Sequence, residues 1–106
     1  MKELPTVDEL VQVFIDNNWK GKKYNDACNR QAVERGEVCA IPALIKFSGE
    51  EFDFETNDGL YSQVENIYSV QAHSLYLGFD TKCKGNKISE LAANLRIKLE
   101  ELGMMV

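Results

Sequence analysis

The chain has 106 residues, of which 44% are hydrophobic and 27% are charged, and its formal net charge at neutral pH is −5. This length and composition predict a single globular domain over residues 1–106 and argue against a disordered chain. The acidic balance argues against broad nucleic-acid binding, because neutralising many phosphates usually requires an excess of Lys and Arg.

Two helices are predicted in the first third of the chain. Residues 6–9 (TVDE) have the form of a capping box, and apolar residues follow at helical spacing, which predicts a helix from about Val7 to Asn17. A second helix is predicted from about Asp26 to Arg35. Asn25 can cap its start, and Gly36 stands where a left-handed residue would end it.

The middle of the chain predicts strands. A first strand is expected over Ala43 to Phe47, with Pro42 at its start because proline cannot donate to a ladder. Residues Glu51 to Glu55 alternate acid and phenylalanine, which predicts an amphipathic second strand. Residues 57–59 (NDG) are a hairpin turn signal. Residues 60–79 are too many for one strand and divide into strands of about 61–70 and 74–79, with a single bent strand as the alternative.

The last helix is predicted to begin at a cap formed by Asn86 or Ser89 and to stop at Gly103. Its apolar residues fall on one stripe: Ile88, Leu91, Ala92, Leu95, Leu99 and Leu102. The predicted order is thus α-α-β-β-β-(β)-α. This order favours a two-layer α+β domain in which helices cover one face of a three- to four-stranded antiparallel sheet.

An acidic segment gives the first functional hypothesis. Seven acids and no Lys or Arg lie between Phe47 and Thr81. Glu51, Asp53 and Glu55 would line one strand face, with Asp58 in the turn that follows. Such charges are typical of a solvated face that discourages edge pairing. The functional alternative is a surface that docks onto a basic protein partner, such as a nucleic-acid-binding protein.

That alternative describes a small non-enzymatic interaction protein, for example an inhibitor, an immunity protein or an antitoxin-like binder. It is an analogy from size and charge. The Asx-x-Asx-x-Asx-Gly pattern of a calcium loop is missing, so no metal or cofactor is predicted.

A basic loop supports a second functional hypothesis, which differs in kind from protein binding. Free N–H groups at the start of the last helix favour an anion, and lysines precede that start. The candidate anion-binding residues are Lys82, Lys84, Gly85, Asn86 and Lys87, with His73 nearby. The spacing of a phosphate-binding P-loop is absent. Under this hypothesis the domain binds a small ligand or acts as an enzyme; otherwise these residues are a solvated loop.

The cysteines give no catalytic or metal signature. Cys28, Cys39 and Cys83 form no Cys-x-x-Cys pair, and with His73 they lack the paired spacing of structural zinc sites. A Cys–His nucleophile has no local signature either. Cys28 and Cys39 are interpreted as small apolar core residues, and free thiols indicate a reducing compartment.

The ends of the sequence complete the expectations. The first residues do not resemble a signal peptide, and no apolar run approaches the roughly 18 residues of a spanning helix. We therefore expect a soluble cytoplasmic protein without membrane contact. The apolar tail Leu102–Val106 either folds back or contacts a partner, as in a structural subunit, and Ile97, off the main stripe, suggests a homodimer through the last helix.

Overall fold

Helices form most of the architecture in a computed structural model of the chain, which describes residues 2–23, 27–55 and 59–106. In chain order the described elements are α1 (Val7–Asp16), β1 (Lys20–Gly21), α2 (Arg30–Arg35), β2 (Glu37–Val38), α3 (Ala40–Ser48), α4 (Leu60–Tyr68), α5 (Ala72–Thr81) and α6 (Lys87–Glu101). The predicted three- to four-stranded antiparallel sheet is wrong. Within the described ranges the strands are β1 and β2, which pair in parallel.

The predicted first and last helices are confirmed because their start signals act locally. At α1, the Thr6 hydroxyl accepts from the Glu9 N–H at 3.1 Å, and the Thr6 N–H donates to the Glu9 carboxylate at 2.9 Å. At α6, Asn86 and Ser89 form the same reciprocal pair, with both hydrogen bonds at 2.9 Å. Gly103 follows α6 with a φ of 69°.

The second helix is shorter than predicted. Its N-cap is Asn29, whose side chain accepts from the Ala32 N–H at 2.8 Å, and its C-cap is Gly36, with a φ of 72°. The predicted cap Asn25 and first residue Asp26 lie outside the described residues.

The strand predicted over Ala43 to Phe47 is instead part of α3. Pro42 is the third residue of this helix. Its missing N–H costs nothing there, because the first N–H groups of a helix have no partner within the helix. Ile41, Leu44 and Ile45 recur at helical spacing and are all buried.

The strands predicted over 61–70 and 74–79 are instead α4 and α5, and the single-strand alternative is equally wrong. In α4 the buried residues Leu60, Val64 and Ile67 are spaced four and three apart, as on one helix face. In α5 the buried residues Leu75 and Phe79 are four apart. Burial on these faces outweighs the strand preference of the Val, Ile and Tyr residues.

Residues Glu51 to Glu55 are extended, but they form no strand ladder. The predicted separation of faces is confirmed, since the three acids are exposed and Phe52 and Phe54 are half-buried. The Phe52 ring lies between Trp19 and Phe54, at centroid distances of 6.4 Å and 5.6 Å. Aromatic packing therefore holds this segment where a ladder was expected. The turn predicted at residues 57–59 falls largely outside the described residues.

The C-terminal tail folds back onto β1, which was one of the two expectations for it. Gly21 donates to the Met104 carbonyl at 2.7 Å, and Val106 donates to the Gly21 carbonyl at 2.8 Å. A side chain at Gly21 would overlap Met105, so glycine permits the close approach of the tail.

Helices α5 and α6 pack more extensively against each other than any other pair of described elements. Gly78 makes this approach feasible, because a methyl group there would overlap the backbone carbonyl of Ser89. Arg96 of α6 then reaches the end of α5, where its Nη1 donates to the carbonyls of Phe79 at 2.8 Å and Asp80 at 3.0 Å. Among the described helices, none combines the length and apolarity needed to cross a bilayer.

Candidate functional site

One open groove collects the acidic side chains that follow α3. It has a volume of about 420 Å³ and is lined by Glu50, Glu51, Asp53, Ser62, Gln63, Asn66 and Ile67. We call this feature the acidic groove. Its first wall is the extended segment after α3, and its second wall is the polar face of α4.

A single side chain fixes the acidic segment against α4. The Gln63 amide accepts from the Asp53 N–H at 2.9 Å and donates from Nε2 to the Glu51 carbonyl at 2.7 Å. These are the two main-chain groups that a strand neighbour would have satisfied. The Glu51 and Asp53 carboxylates are therefore presented from a backbone with a defined position.

The three groove carboxylates are exposed and have no ion-pair partner within 4.0 Å among the described residues. Lys46 is the cation on the neighbouring surface, where it lines a second depression with Glu50 and Glu51. The groove thus combines a polar wall with carboxylates that form no direct ion pair within the described part of the chain.

The structure brings together two of the four predicted partner-binding residues. Glu51 and Asp53 line the groove, while Glu55 lies apart and pairs with Arg30 at 3.5 Å. The Arg30 guanidinium also lies 4.8 Å from the Phe54 ring centroid. Asp58 lies outside the described residues, and Glu50 joins the site instead.

A smaller pocket lies between α2, α3, α4 and α5. Its volume is about 230 Å³, and its lining residues are Cys28, Asn29, Cys39, Tyr61, Tyr76, Phe79 and Asp80. We call it the thiol pocket. The segments that carry its two cysteines are joined by a backbone hydrogen bond of 3.0 Å from the Cys39 N–H to the Ala27 carbonyl.

The two thiols of this pocket lie near each other, and a hydrogen bond between them is the main influence on the pKa of each. This bond lowers the pKa of Cys39, and the backbone N–H groups of Ile41 and Cys39 lower it further against the opposing effect of burial. The same bond and burial raise the pKa of Cys28. Cys39 is also the N-cap of α3, where the helix dipole favours an anion, although no capping hydrogen bond of ordinary geometry forms.

Polar groups surround the thiols. Asp80 Oδ1 is buried and has no hydrogen-bond partner among the described residues. Burial is the main cause that raises the pKa of Tyr61 to about 12, so its hydroxyl stays protonated near neutral pH. The pocket therefore brings together two thiols, a buried carboxylate oxygen and a protonated hydroxyl.

The predicted anion-binding loop is partly engaged within the protein. Lys82 pairs with Glu100 at 2.8 Å, and the Ser89 N–H at the start of α6 donates to Asn86. Asn86 also donates to the Ser74 hydroxyl at 3.1 Å. The remaining predicted residues, Lys84, Gly85 and Lys87, are exposed. His73 is exposed and stacks on Tyr76, with a centroid distance of 6.0 Å.

The described residues contain no group of three or more His, Cys, Asp and Glu side chains able to hold a metal ion. Cys83 is exposed, whereas Cys28 and Cys39 lie together, and all three are free thiols. Comparison of the chain with protein-family models, with curated sequences and with solved structures gives no match.

Sequence reasoning missed the contributions of Glu50, Gln63 and the cysteine pair. Glu50 belongs to the acidic run and was open to inclusion. A cysteine three residues before Pro42 could have indicated a thiol at a helix start, since proline is common in a first turn. The contacts of Gln63 and Cys28 depend on tertiary structure.

Proposed function

We propose that this chain is a non-enzymatic interaction domain that binds a basic protein segment in the acidic groove. The observation that carries the proposal is the presence of three exposed carboxylates, those of Glu50, Glu51 and Asp53, on one groove without a cation partner among the described residues. Such a domain would act as an inhibitor or an antitoxin-like binder, working by surface complementarity.

The geometry supports a protein segment as the occupant. A groove of about 420 Å³ with an open side accommodates an extended chain with one or two side chains inserted. Lysine or arginine ammonium and guanidinium groups would meet the carboxylates, while Gln63 and Asn66 offer amide groups to a peptide backbone. Charge complementarity of this kind mainly increases association rate and specificity.

The proposed partner-binding surface is the acidic groove, which differs from the strand face of Glu51, Asp53 and Glu55 predicted from the sequence. Glu55 is partly neutralised by Arg30, so it contributes less to binding than Glu51 and Asp53. A location in the cytoplasm belongs to the proposal, because there the three cysteines would remain reduced.

The test uses a fluorescently labelled oligolysine peptide and its anisotropy on titration with the protein. A groove-neutral variant carries Glu50→Gln, Glu51→Gln and Asp53→Asn. Its matched control carries Glu3→Gln, Glu34→Gln and Glu90→Gln, which change net charge equally at exposed residues outside the groove.

We expect the groove-neutral variant to bind about tenfold more weakly than the wild type, since each exposed pair contributes roughly 0.2–1 kcal/mol. The control should lose less than about threefold through net charge alone. Equal losses of affinity in the two variants would show that peptide binding depends only on the net charge of the protein, and the proposal would be rejected.

A further inference from the structure

Beyond the proposed binding function, the thiol pocket has the parts of a reactive site. Cys28 and Cys39 come from separate segments that the hydrogen bond between Cys39 and Ala27 holds together. Both side chains line the same pocket of about 230 Å³, and the two thiols lie near enough for each to shift the pKa of the other. A disulfide requires such proximity of two sulfurs.

We propose that Cys28 and Cys39 form a hydroperoxide-reactive dithiol site, in which Cys39 attacks the peroxide and Cys28 resolves the product to a disulfide. The site is assigned from the pair of thiols, the pocket that opens onto them and the unpartnered carboxylate oxygen of Asp80.

The roles of the two cysteines follow from their surroundings. Cys39 lies at the start of α3, where the helix dipole favours an anion, and its pKa is lowered, so it is the thiol that ionises more readily. Cys28 keeps its proton and is the more exposed of the two. A nucleophile beside a protonated resolving thiol is the arrangement needed for a two-step oxidation.

The size and polarity of the pocket point to a small hydroperoxide. Cys39 is only 9% exposed, which leaves little room for a protein disulfide to approach its sulfur. Asp80 Oδ1 is a buried acceptor without a partner among the described residues. A hydroperoxide has an O–H group that can donate to this oxygen, whereas a disulfide has no donor.

The chemistry balances without a further reactant. The Cys39 thiolate attacks the terminal oxygen of ROOH, so an S–O bond forms, the O–O bond breaks, and RO⁻ leaves and takes up the proton released when Cys39 ionised. The Cys28 thiol then attacks the sulfenic acid, an S–S bond forms, and water leaves. Two thiols and ROOH thus give one disulfide, ROH and water, with two electrons passing from sulfur to the peroxide.

The experiment treats the reduced full chain with one equivalent of hydrogen peroxide and follows it by intact mass and peptide mapping. The wild type and Cys83→Ser should both lose two hydrogens and link Cys28 to Cys39. Cys28→Ser should stop at a sulfenic acid on Cys39 that a dimedone probe captures. At pH 7, Cys39 should react roughly tenfold faster than the exposed Cys83.

A second variant tests the pocket without changing either thiol. Asp80→Asn should slow oxidation of Cys39 by about tenfold, while its thermal unfolding stays close to that of the wild type. The inflection in the pH profile of Cys39 oxidation should lie below the ordinary thiol pKa of about 8.5. The titratable groups that face Cys39 in this pocket are Cys28, Asp80, Tyr61 and Tyr76.

Oxidation of Cys83 while Cys28 and Cys39 remain thiols would overturn the proposal, and so would an unchanged mass of Cys83→Ser. Both outcomes are read from chains with an intact pocket, so they count even where Cys28→Ser fails to fold. The peptide-binding experiment is independent of this result, because none of its substitutions lies in the thiol pocket.

Discussion

The side-chain amide of Gln63 binds the backbone of Asp53, accepting its N–H at 2.9 Å. Because the same amide donates to the Glu51 carbonyl, one residue of α4 positions the main chain between two groove carboxylates. The acidic groove therefore depends on a contact between residues ten positions apart. A substitution at Gln63 would change the geometry of the groove and leave its charge unchanged.

Replacing Gln63 should weaken peptide binding without removing any charge. Gln63→Ala eliminates two exposed hydrogen bonds, so we expect a loss of about 1 kcal/mol in the free energy of unfolding. Oligolysine binding should fall by about threefold to tenfold as the carboxylates lose their fixed spacing. Urea unfolding and peptide anisotropy measure the two effects. Gln12→Ala, which removes one exposed bond to Asp16 on α1, is the control and should leave binding unchanged.

Arg96 should be essential to the junction of α5 and α6. Its Nη1 satisfies two carbonyls at the end of α5, and the residue is 9% exposed. Arg96→Met should reduce the free energy of unfolding by about 3 kcal/mol, because buried carbonyls lose a charged donor. Lys98→Met removes a partly exposed cation of the same helix and should cost less than about 0.5 kcal/mol. Similar urea midpoints for the two variants would contradict this role.

Gly78 should resist even the smallest side chain. Gly78→Ala places a methyl group against the Ser89 carbonyl, and forcing the helices apart should cost about 2 kcal/mol despite the better helix propensity of alanine. Gly85→Ala is the comparison, since its added methyl meets only ordinary contacts, at 3.9 Å or more. The midpoint of thermal unfolding of Gly85→Ala should be close to that of the wild type. A Gly78→Ala variant of unchanged stability would mean that α5 and α6 can separate easily.

Stability should depend on acid pH through Glu100. A hydrogen bond from Lys82, and then the charge of Arg96, lowers the pKa of the Glu100 carboxyl below its ordinary value of 4.5. A lowered folded-state pKa stabilises the protein above 4.5, and this contribution is lost as the pH falls through the folded-state pKa. Glu100→Gln should thus be less stable than the wild type at pH 7, and the difference should shrink toward pH 3. A constant difference across this range would contradict the assignment.

The sequence was sufficient for elements whose signals are local. The Thr6–Glu9 and Asn86–Ser89 boxes lie within four residues of chain, and both helices that they start were predicted. It was misleading for α4 and α5, where β-branched and tyrosine residues favour strands in isolation. The spacing of Leu60, Val64 and Ile67 carried the helical signal there.

The candidate sites were predictable only in part. The acidic run was visible in the sequence, but the groove depends on Gln63 reaching back ten residues, and the pairing of Glu55 with Arg30 joins residues 25 positions apart. Cys28 and Cys39 match no sequence motif, because it is the fold that brings their two segments together, through the hydrogen bond from the Cys39 N–H to the Ala27 carbonyl. Such contacts are set by packing of the whole domain.

The most direct measurement for the acidic groove is a map of backbone amide chemical shifts in the ¹⁵N-labelled protein as oligolysine is added. We predict that the largest shifts fall on residues 50–53 and 62–67, together with the side-chain amide of Gln63, and that they vanish in the groove-neutral variant. Shifts distributed evenly over the exposed acids, or centred on Glu3, Glu34 and Glu90, would contradict the account.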